Sequence, residues 1–303
     1  MKLSQQTCQA ELSKYNLIPR KYHGQVFTTD PKVIDKFIET IKTIYRPGTK
    51  IVEIGGGLGY ITEQLIRHFD DVDCLEIDDE LFGILSNKFV HLENNIPSPV
   101  QCRVSNKIIV HKDIMASNKE KTENPNKIIT QNIVSRKSLI VNRKSFMSNS
   151  SIHKAGLRLI HADIMDYEPN KQNYLLVGNI PFHISGKLYR KFMSEIDHKP
   201  YGMVFITDKQ YAKTLMGQPP RCYRASLQAQ AYGDIEIVAD VPPASVYPPP
   251  RVMSCIMKIT QNPTPLPQNF WKVVNYHYEN FPTKEIESPK TLSLKDWVKL
   301  CGN

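Results

Sequence analysis

The chain has 303 residues, 41% of them hydrophobic, and a formal net charge of +9, so it can bury a large core. It contains no run of about 18 apolar residues, no secretory signal in residues 1–24, and no zinc or disulfide spacing among its six cysteines. We therefore expect a monomeric, cytoplasmic protein with reduced thiols and no metal site. A mitochondrial location is the alternative.

The first half of the chain alternates strand and helix patterns. Residues 50–54 form a short β-branched run that ends in a glycine-rich loop, and apolar residues at helical spacing follow it. Residues 73–77 predict the next strand and residues 79–89 the next helix. Alternation of this kind predicts an α/β fold whose parallel sheet carries helices on both faces. Ligands then bind at the carboxyl ends of the strands.

A basic insertion rich in Asn and Lys interrupts this pattern at about residues 96–156. Between residues 100 and 160 the sequence holds 12 Lys and Arg against 3 Asp and Glu, and the remaining residues hold 27 of each sign. The whole charge excess therefore lies in this segment, and a basic tract attracts a polyanionic partner. Residues 119–154 are either an RNA-binding arm or a disordered insertion without function, and both interpretations stay open.

Regular patterns resume at residue 157 and continue to the C-terminus. We predict two domains, residues 1–260 with the insertion and a small helical domain over residues 261–303. The predicted strands of this half cover residues 157–161, the run that ends at Asn179, and residues 202–207, 229–238 and 252–259. The predicted helices cover residues 187–196, 270–278 and 293–300.

The glycine-rich loop has the pattern Glu53-x-Gly55-x-Gly57-x-Gly59, between a strand and a helix, which is typical of a nucleotide-binding loop. Glycines allow the backbone to approach a ligand closely. Glu76, at the end of the next strand, would bind ribose hydroxyls in a dinucleotide site and in other adenosine sites alike. The loop therefore predicts an adenosine-containing cofactor without identifying it. A solvated strand-end carboxylate is the alternative for Glu53.

The strand that ends at Asn179 is followed by Ile180, Pro181 and Phe182. The amide oxygen of Asn179 and the carbonyl of Ile180 can accept the two N–H bonds of an exocyclic amine, while Phe182 stacks on the ring. Pro181 restricts Ile180 to an extended conformation, which directs its carbonyl. An ordinary turn is the alternative, because Asn-x-Pro is also common in turns.

Four motifs occur in order: Glu53 with its glycines, Glu76-Ile77-Asp78, Ala162-Asp163-Ile164-Met165, and Asn179-Ile180-Pro181-Phe182. Together with residues 23–31 and 242–252, they make the sequence resemble the ribosomal RNA adenine-N6 dimethyltransferases. That family includes the macrolide-resistance 23S rRNA methylases. The resemblance covers about residues 15–95 and 157–260 and part of the C-terminus. Because several motifs occur in the same order, the resemblance is specific for the family, but it is less specific for the substrate.

The resemblance implies a Rossmann-like S-adenosylmethionine-dependent methyltransferase domain with a small, shortened C-terminal helical domain. The implied activity is N6 dimethylation of adenines in small-subunit rRNA, within a pre-ribosomal particle. The alternatives are a large-subunit rRNA adenine methylase and a non-catalytic rRNA-binding assembly factor. The implied catalytic residues are Asn179, Ile180, Pro181 and Phe182, and the implied RNA-binding residues are Tyr247 and Arg251. The implied cofactor-binding residues are Gln25, Val26, Glu53, Gly55, Gly57, Glu76, Ile77, Asp163, Ile164 and Asn179.

In this assignment Glu76 would hold the ribose and Asp163 the adenine amine, although a helix cap or turn is the alternative for Asp163. Three residues depart from the family pattern. Val26 replaces the usual Asn or His, Phe182 replaces the usual Tyr, and Val246 replaces a Phe thought to cover the other face of the target base. Phe182 keeps the stacking ring and loses only a hydroxyl, whereas Val26 and Val246 support the non-catalytic alternative.

Overall fold

The structure is a computed structural model that describes residues 3–20, 24–90, 151–154, 156–169, 173–282 and 286–302. Most of the insertion predicted at about residues 96–156, and with it nearly all of the proposed RNA-binding arm, lies outside the described residues. The last part of that range is described and forms a strand at Ser151–Lys154.

The described elements follow the predicted alternation of strands and helices. The strands are β1 (Phe27–Thr28), β2 (Lys50–Ile54), β3 (Val72–Glu76), β4 (Ser151–Lys154), β5 (Leu157–His161), β6 (Tyr174–Asn179), β7 (Gly202–Asp208), β8 (Gly233–Val241), β9 (Val246–Tyr247) and β10 (Ser254–Gln261). The α-helices are α1 (Gln5–Lys14), α2 (Pro31–Lys42), α3 (Tyr60–His68), α4 (Asp79–Val90), α5 (Ser185–Arg190), α6 (Lys209–Leu215), α7 (Arg224–Tyr232), α8 (Phe270–Asn280) and α9 (Leu294–Gly302).

Eight strands form one mixed sheet in the order β4-β5-β3-β2-β6-β7-β10-β8. The five strands β5, β3, β2, β6 and β7 are parallel, while β4 and β10 pair antiparallel with their neighbours. Strands β3 and β6 flank β2 on opposite sides, so the strand order reverses at β2. Ligands of doubly wound sheets bind at such a switch point, outside the carboxyl ends of the strands.

Helices cover both faces of the sheet, which confirms the predicted α/β class. Helices α2, α3 and α4 pack on one face through residues such as Phe37, Leu65 and Phe89. Helices α5, α6 and α7 pack on the other face through residues such as Leu188 and Leu215. Because the central parallel strands are covered on both sides, all five residues of β2 are buried.

A buried carboxylate joins β2, β3 and β5. Asp73 is fully buried and accepts hydrogen bonds from Lys50 Nζ at 2.8 Å and from Tyr167 Oη at 2.8 Å. Arg158 donates to both of its oxygens, the Nε bond being 3.0 Å long. Two cations and one hydroxyl therefore compensate this carboxylate in the interior, as a buried charge requires.

The structure differs from the predicted elements in the region of α7. Residues 229–232 were predicted to begin a strand, but they complete α7, and the strand starts at Gly233. Leu227 and Ala231 face one hydrophobic cluster while Ala229 and Tyr232 face another. A helix that is buried on two sides has no single apolar stripe, and residues 228–231 alternate polar and apolar as a strand does, which explains the wrong prediction.

The C-terminal helices α8 and α9 occur where two helical patterns were predicted. They pack on α7 through a cluster that includes Phe270, Val274, Trp297 and Cys301, together with Leu227 of α7. The C-terminal segment thus shares its core with the main body. Across the described ranges, no helix combines the length and the apolar character that a membrane span requires.

Candidate active site

The predicted site residues lie at the carboxyl ends of neighbouring parallel strands. Register pairs place Ile54 beside Leu75 and Gly178, and Glu76 beside His161. The glycine loop follows β2, Ile77 follows β3, Asp163 follows β5, and Asn179 ends β6. The four sequence motifs therefore meet at one edge of the sheet, at its switch point.

The glycine loop is fastened to the next strand by Glu76. The Gly57 N–H donates to Glu76 Oε2 at 2.8 Å, and the Asp78 N–H donates to Oε1 at 2.9 Å. Burial raises the pKa of the Glu76 carboxyl, while these backbone donors partly oppose the shift. Gly57 has a φ of +57°, and a Cβ there would lie 3.1 Å from the Phe27 ring, so this turn requires glycine.

Glu53 occupies a different environment from the one predicted. It is 1% exposed, and its Oε2 has no hydrogen-bond partner. Burial raises its pKa to about 7, and the nearby Thr62 and Cys74 side chains oppose that shift only in part. Neither a solvated carboxylate nor a direct ligand contact describes this position. The side chain lies in the protein interior behind the glycine loop.

This burial predicts a pH-dependent stability. The folded-state pKa of Glu53 is raised, so the folded state binds the proton more tightly, and stability decreases as pH rises from the ordinary pKa of 4.5 to about 7. Glu53→Gln cannot ionise and should lack this loss. From pH 5 to pH 8, we expect the free energy of unfolding of the variant to increase by on the order of 3 kcal/mol relative to that of wild type. Melting temperatures of both proteins at these two pH values check the effect.

The control is Glu236→Gln, which removes an exposed carboxylate paired with Lys258 at 2.7 Å. Its stability relative to wild type should change little between the two pH values. A Glu53→Gln protein whose melting temperature follows that of wild type at both pH values would contradict the raised pKa.

Asn179 has a fixed amide orientation. Its Nδ2 donates to the backbone carbonyl oxygen of Val26 at 2.8 Å and lies 3.4 Å from the hydroxyl of buried Thr28. A carbonyl oxygen can only accept, so the NH₂ group must face Val26. The Oδ1 atom is therefore on the opposite side, and no described residue donates to it. The side chain presents an acceptor at the end of β6.

The residues after Asn179 continue this acceptor surface. The Ile180 N–H donates to the Ile206 carbonyl oxygen at 2.9 Å and its side chain is 1% exposed, so the residue is fixed in place. Within the described part of the chain, its own carbonyl oxygen accepts no hydrogen bond. Phe182 is 41% exposed, which leaves part of its ring open for stacking.

The segment before β1 packs directly against Pro181, two residues after Asn179. Gly24 has a φ of +65°, and a Cβ there would lie 2.5 Å from Pro181 Cβ. Gln25 accepts from the Arg20 N–H at 2.9 Å and donates from Nε2 to Asp78 Oδ2 at 3.0 Å. The side chain predicted to bind the cofactor thus fastens this segment to the start of α4. It remains predicted to contact a ligand.

We predicted no role for two residues of the site, although Asp78 belongs to the second of the four motifs. Asp78 also caps α4, because its Oδ1 accepts from the N–H groups of Glu80 and Leu81 at 3.0 and 3.1 Å. An Asp between a strand and a helix is an N-cap signal, so Asp78 was recognisable. Thr28, beside Asn179, carries no signal of that kind, since its role depends on a contact between distant segments.

The motif after β5 forms a tight turn. Asp163 Oδ1 accepts from the Met165 N–H at 2.8 Å, while its other oxygen receives no bond from a described residue. The Ile164 side chain, predicted to contact the cofactor, is 5% exposed and belongs to the core. Ile77, in contrast, is 53% exposed at the end of β3. An exposed apolar side chain at this edge suits a planar base.

The segment predicted to bind RNA starts beside β1. Val246 is 1% exposed and packs in the main core, so it does not cover a base. Tyr247 pairs with Phe27 and packs its partly buried ring near Leu58. Arg251 is exposed, just before the amino end of β10, at the same sheet edge as Asn179. RNA contacts by Tyr247 and Arg251 remain predictions.

Comparison with known families and proteins gives a consistent result. A family model described as ribosomal RNA adenine dimethylase matches residues 17–285. The ribosomal RNA small subunit methyltransferase A of Dehalococcoides mccartyi is 28% identical over 245 residues, which are 81% of this chain and 64% of that protein. An rRNA adenine N-6-methyltransferase of Escherichia coli is 24% identical over 264 residues, 87% of this chain and 80% of that protein. The chain thus spans less than two thirds of the first relative's length.

Solved structures show the same fold. The 23S rRNA methyltransferase ErmE has a TM-score of 0.55 at 19% identity, covering 84% of this chain and 77% of that one. A dimethyladenosine transferase from Plasmodium falciparum has a TM-score of 0.56 at 15% identity, covering 89% of this chain and 94% of that one.

Proposed function

Because this chain belongs to the ribosomal RNA adenine dimethylase family, we propose that it transfers methyl groups from S-adenosylmethionine to N6 of adenines in small-subunit rRNA during ribosome assembly. One observation carries the proposal. Asn179 presents its Oδ1 and not its NH₂ group, because Val26 accepts from the NH₂ group. An amine donates to such an acceptor, whereas a base carbonyl does not.

The residues at the sheet edge fit the cofactor. An added Cβ at Gly55 would meet no atom within 4 Å, so there is open space in front of the loop, where the methionine part would bind. Glu76 would hold the ribose, since each of its oxygens can accept a second bond. Asp163 has one oxygen left for the adenine amine, and exposed Ile77 would contact the ring. When bound, S-adenosylmethionine supplies an electrophilic methyl group.

The protein's own contribution is alignment and polarisation of the target amine. Asn179 Oδ1 and the Ile180 carbonyl oxygen would accept its two N–H bonds, which directs the nitrogen lone pair towards the methyl group. Because Val26 holds Asn179 and Ile206 holds Ile180, both acceptors are fixed before the base arrives. Methylation would form the N6–C bond as the S–CH₃ bond of the sulfonium breaks to leave a thioether, and N6 would then lose one of its protons to solvent. Phe182 would stack on the adenine after it leaves its own stack.

Support for rRNA as the substrate comes from the names of the relatives and from the excess basic charge. The relative in Dehalococcoides mccartyi is a small-subunit enzyme, whereas ErmE is a 23S rRNA enzyme. The 28% identity to the first of these supports small-subunit RNA. A non-catalytic assembly factor remains the second candidate, because buried Val246 leaves one face of the target base without an aromatic cover.

Cofactor binding and methyl transfer test the proposal together. We expect S-adenosylmethionine to bind with micromolar affinity in calorimetry, and labelled methyl groups to reach adenines of immature small subunits, mapped by primer extension. Purified large subunits serve as the control substrate. Transfer to the large subunit alone would identify large-subunit rRNA as the substrate. If the protein does not bind S-adenosylmethionine at millimolar cofactor concentration, it is not a methyltransferase, and the non-catalytic assembly factor becomes the better explanation.

A further inference from the structure

Lys191 carries a buried ammonium group that three backbone carbonyl oxygens surround. The residue is 7% exposed, and Nζ donates to Met165 O at 2.7 Å, Tyr167 O at 2.7 Å and Ile164 O at 3.2 Å. None of the ion pairs among the described residues involves Lys191. An ammonium group has three N–H donors, so the three carbonyls match them one for one.

These carbonyls all belong to the turn that begins at Asp163. Within the turn, the Asp166 N–H donates to the Asp163 carbonyl oxygen at 3.0 Å, and the Tyr167 N–H donates to the Ile164 carbonyl oxygen at 3.3 Å. The Met165 N–H donates to the Asp163 side chain. The turn therefore folds around the ammonium group, and its conformation sets the direction of the Asp163 carboxylate.

Burial of a cation is costly unless its donors are satisfied, so a lysine is a poor choice for a position that only fills space. A methionine would fill the same volume without that cost. Lys191 also begins a π-helical turn, Lys191–Glu195, directly after α5. Such turns are rare and frequently occur at functional sites. Both features indicate a role beyond packing.

We propose that Lys191 is a positioning residue that holds Asp163 in the orientation in which its free carboxylate oxygen accepts the 6-amino group of the cofactor's adenine. The inference rests on the proposed function. The preference of the cofactor site for adenine would then depend on Lys191, through Asp163. The site would accept an adenine and reject a base with a carbonyl oxygen in place of the 6-amino group. Lys191 itself touches neither the cofactor nor the target base.

The test compares two ligands, S-adenosylhomocysteine and S-inosylhomocysteine, which has a carbonyl oxygen in place of the amine. Affinities are measured by calorimetry for wild type, Lys191→Met, Asp163→Ala and the double variant. We expect wild type to prefer the adenosyl ligand and Lys191→Met to lose roughly tenfold of that preference. The loss should be absent in the Asp163→Ala background, since Lys191 acts through Asp163.

Two further variants separate positioning from general stability. Lys191→Arg keeps the charge and should fold, but its planar fork cannot place one nitrogen among three carbonyls, so the preference should fall between those of wild type and Lys191→Met. If Lys191→Met fails to fold, Lys191→Arg alone decides. The control is Lys199→Met, which removes another lysine-to-carbonyl bond, to Ile196 at 3.0 Å. Its ligand preference should equal that of wild type.

The outcomes distinguish the inference from the function on which it rests. Wild type that binds neither ligand would overturn the proposed function. Wild type that binds both equally would show that Asp163 does not read the amine, and would overturn the inference. An unchanged preference in folded Lys191→Met and Lys191→Arg would overturn the inference and leave the proposed function intact.

Discussion

Replacing Asn179 by Ala should lower the rate of methyl transfer by at least about 10²–10³-fold, the usual loss when one fixed polar group at a reaction centre is removed. The variant loses the Oδ1 acceptor that orients the target amine. RNA binding should change little, because the contact involves one atom of one base. Single-turnover transfer to immature small subunits measures the rate, and a filter-binding assay measures RNA affinity.

Asn179→Asp gives a sharper version of the same experiment, because it keeps the shape and an acceptor oxygen. Its second oxygen would face the Val26 carbonyl oxygen, where the NH₂ group of Asn179 donates at 2.8 Å. Two acceptors repel, so this variant should also lose transfer. The control is Asn262→Ala, which removes an exposed bond to Asp234 near the end of β10, at the opposite edge of the sheet. Near-wild-type transfer by Asn179→Ala would refute the assigned role.

Replacing Asp73 by Asn should lower the free energy of unfolding by about 3–5 kcal/mol, because Arg158 would remain partly buried without its counter-charge. Lys50 would keep only its second partner, the more exposed Asp71, at 2.6 Å. For a protein of this size, that loss corresponds to a decrease in melting temperature on the order of 10 °C. Thermal unfolding followed by circular dichroism measures it. The control is Asp240→Asn, which removes a more exposed ion pair with Lys209 and should cost less than about 1 kcal/mol.

The pKa of Asp73 also predicts how the stability decreases at acid pH. Burial alone would raise the pKa of Asp73, but hydrogen bonds from Arg158 and Lys50 outweigh it and hold the pKa below its ordinary value of 3.8. The contribution of Asp73 is therefore fully present above about pH 4 and decreases as pH falls through the lower, folded-state pKa. Asp73→Asn should flatten the acid side of the melting-temperature profile. Parallel profiles for the two proteins would contradict this assignment.

Much of the fold could be predicted because its signals are local. The β-branched run of β2, the glycine loop and the helix after it each follow from neighbouring residues, and their alternation implies the parallel sheet. The helix α7 was partly assigned to a strand, because its burial on two sides removes the helical period. Strand β4 lies within the segment that we interpreted as an insertion, since its polar sequence carries no strand signal.

In the candidate site, too, the residues with a local sequence signal could be predicted and the others could not. Asn179, Phe182 and the glycines were recognisable because their side chains, or the lack of one, suit a ligand. The burial of Glu53 was not predicted, although helices on both faces of the sheet were, because a carboxylate before a glycine loop was interpreted as a ligand contact. Lys191 was missed for a different reason. Its partners are carbonyl oxygens, which every residue has, so no pattern of side chains announces the contact.

The contact between Asn179 and Val26 bears on how far amino-acid identity can be used to judge whether such a protein is active. The atom that receives the hydrogen bond belongs to the main chain, so substitutions at position 26 leave it in place while they alter the motif. A lineage can therefore drift at this position without losing the contact. If Asn179 has the proposed role, the side chain at position 26 is by itself a poor criterion for separating enzymes from pseudoenzymes in this family.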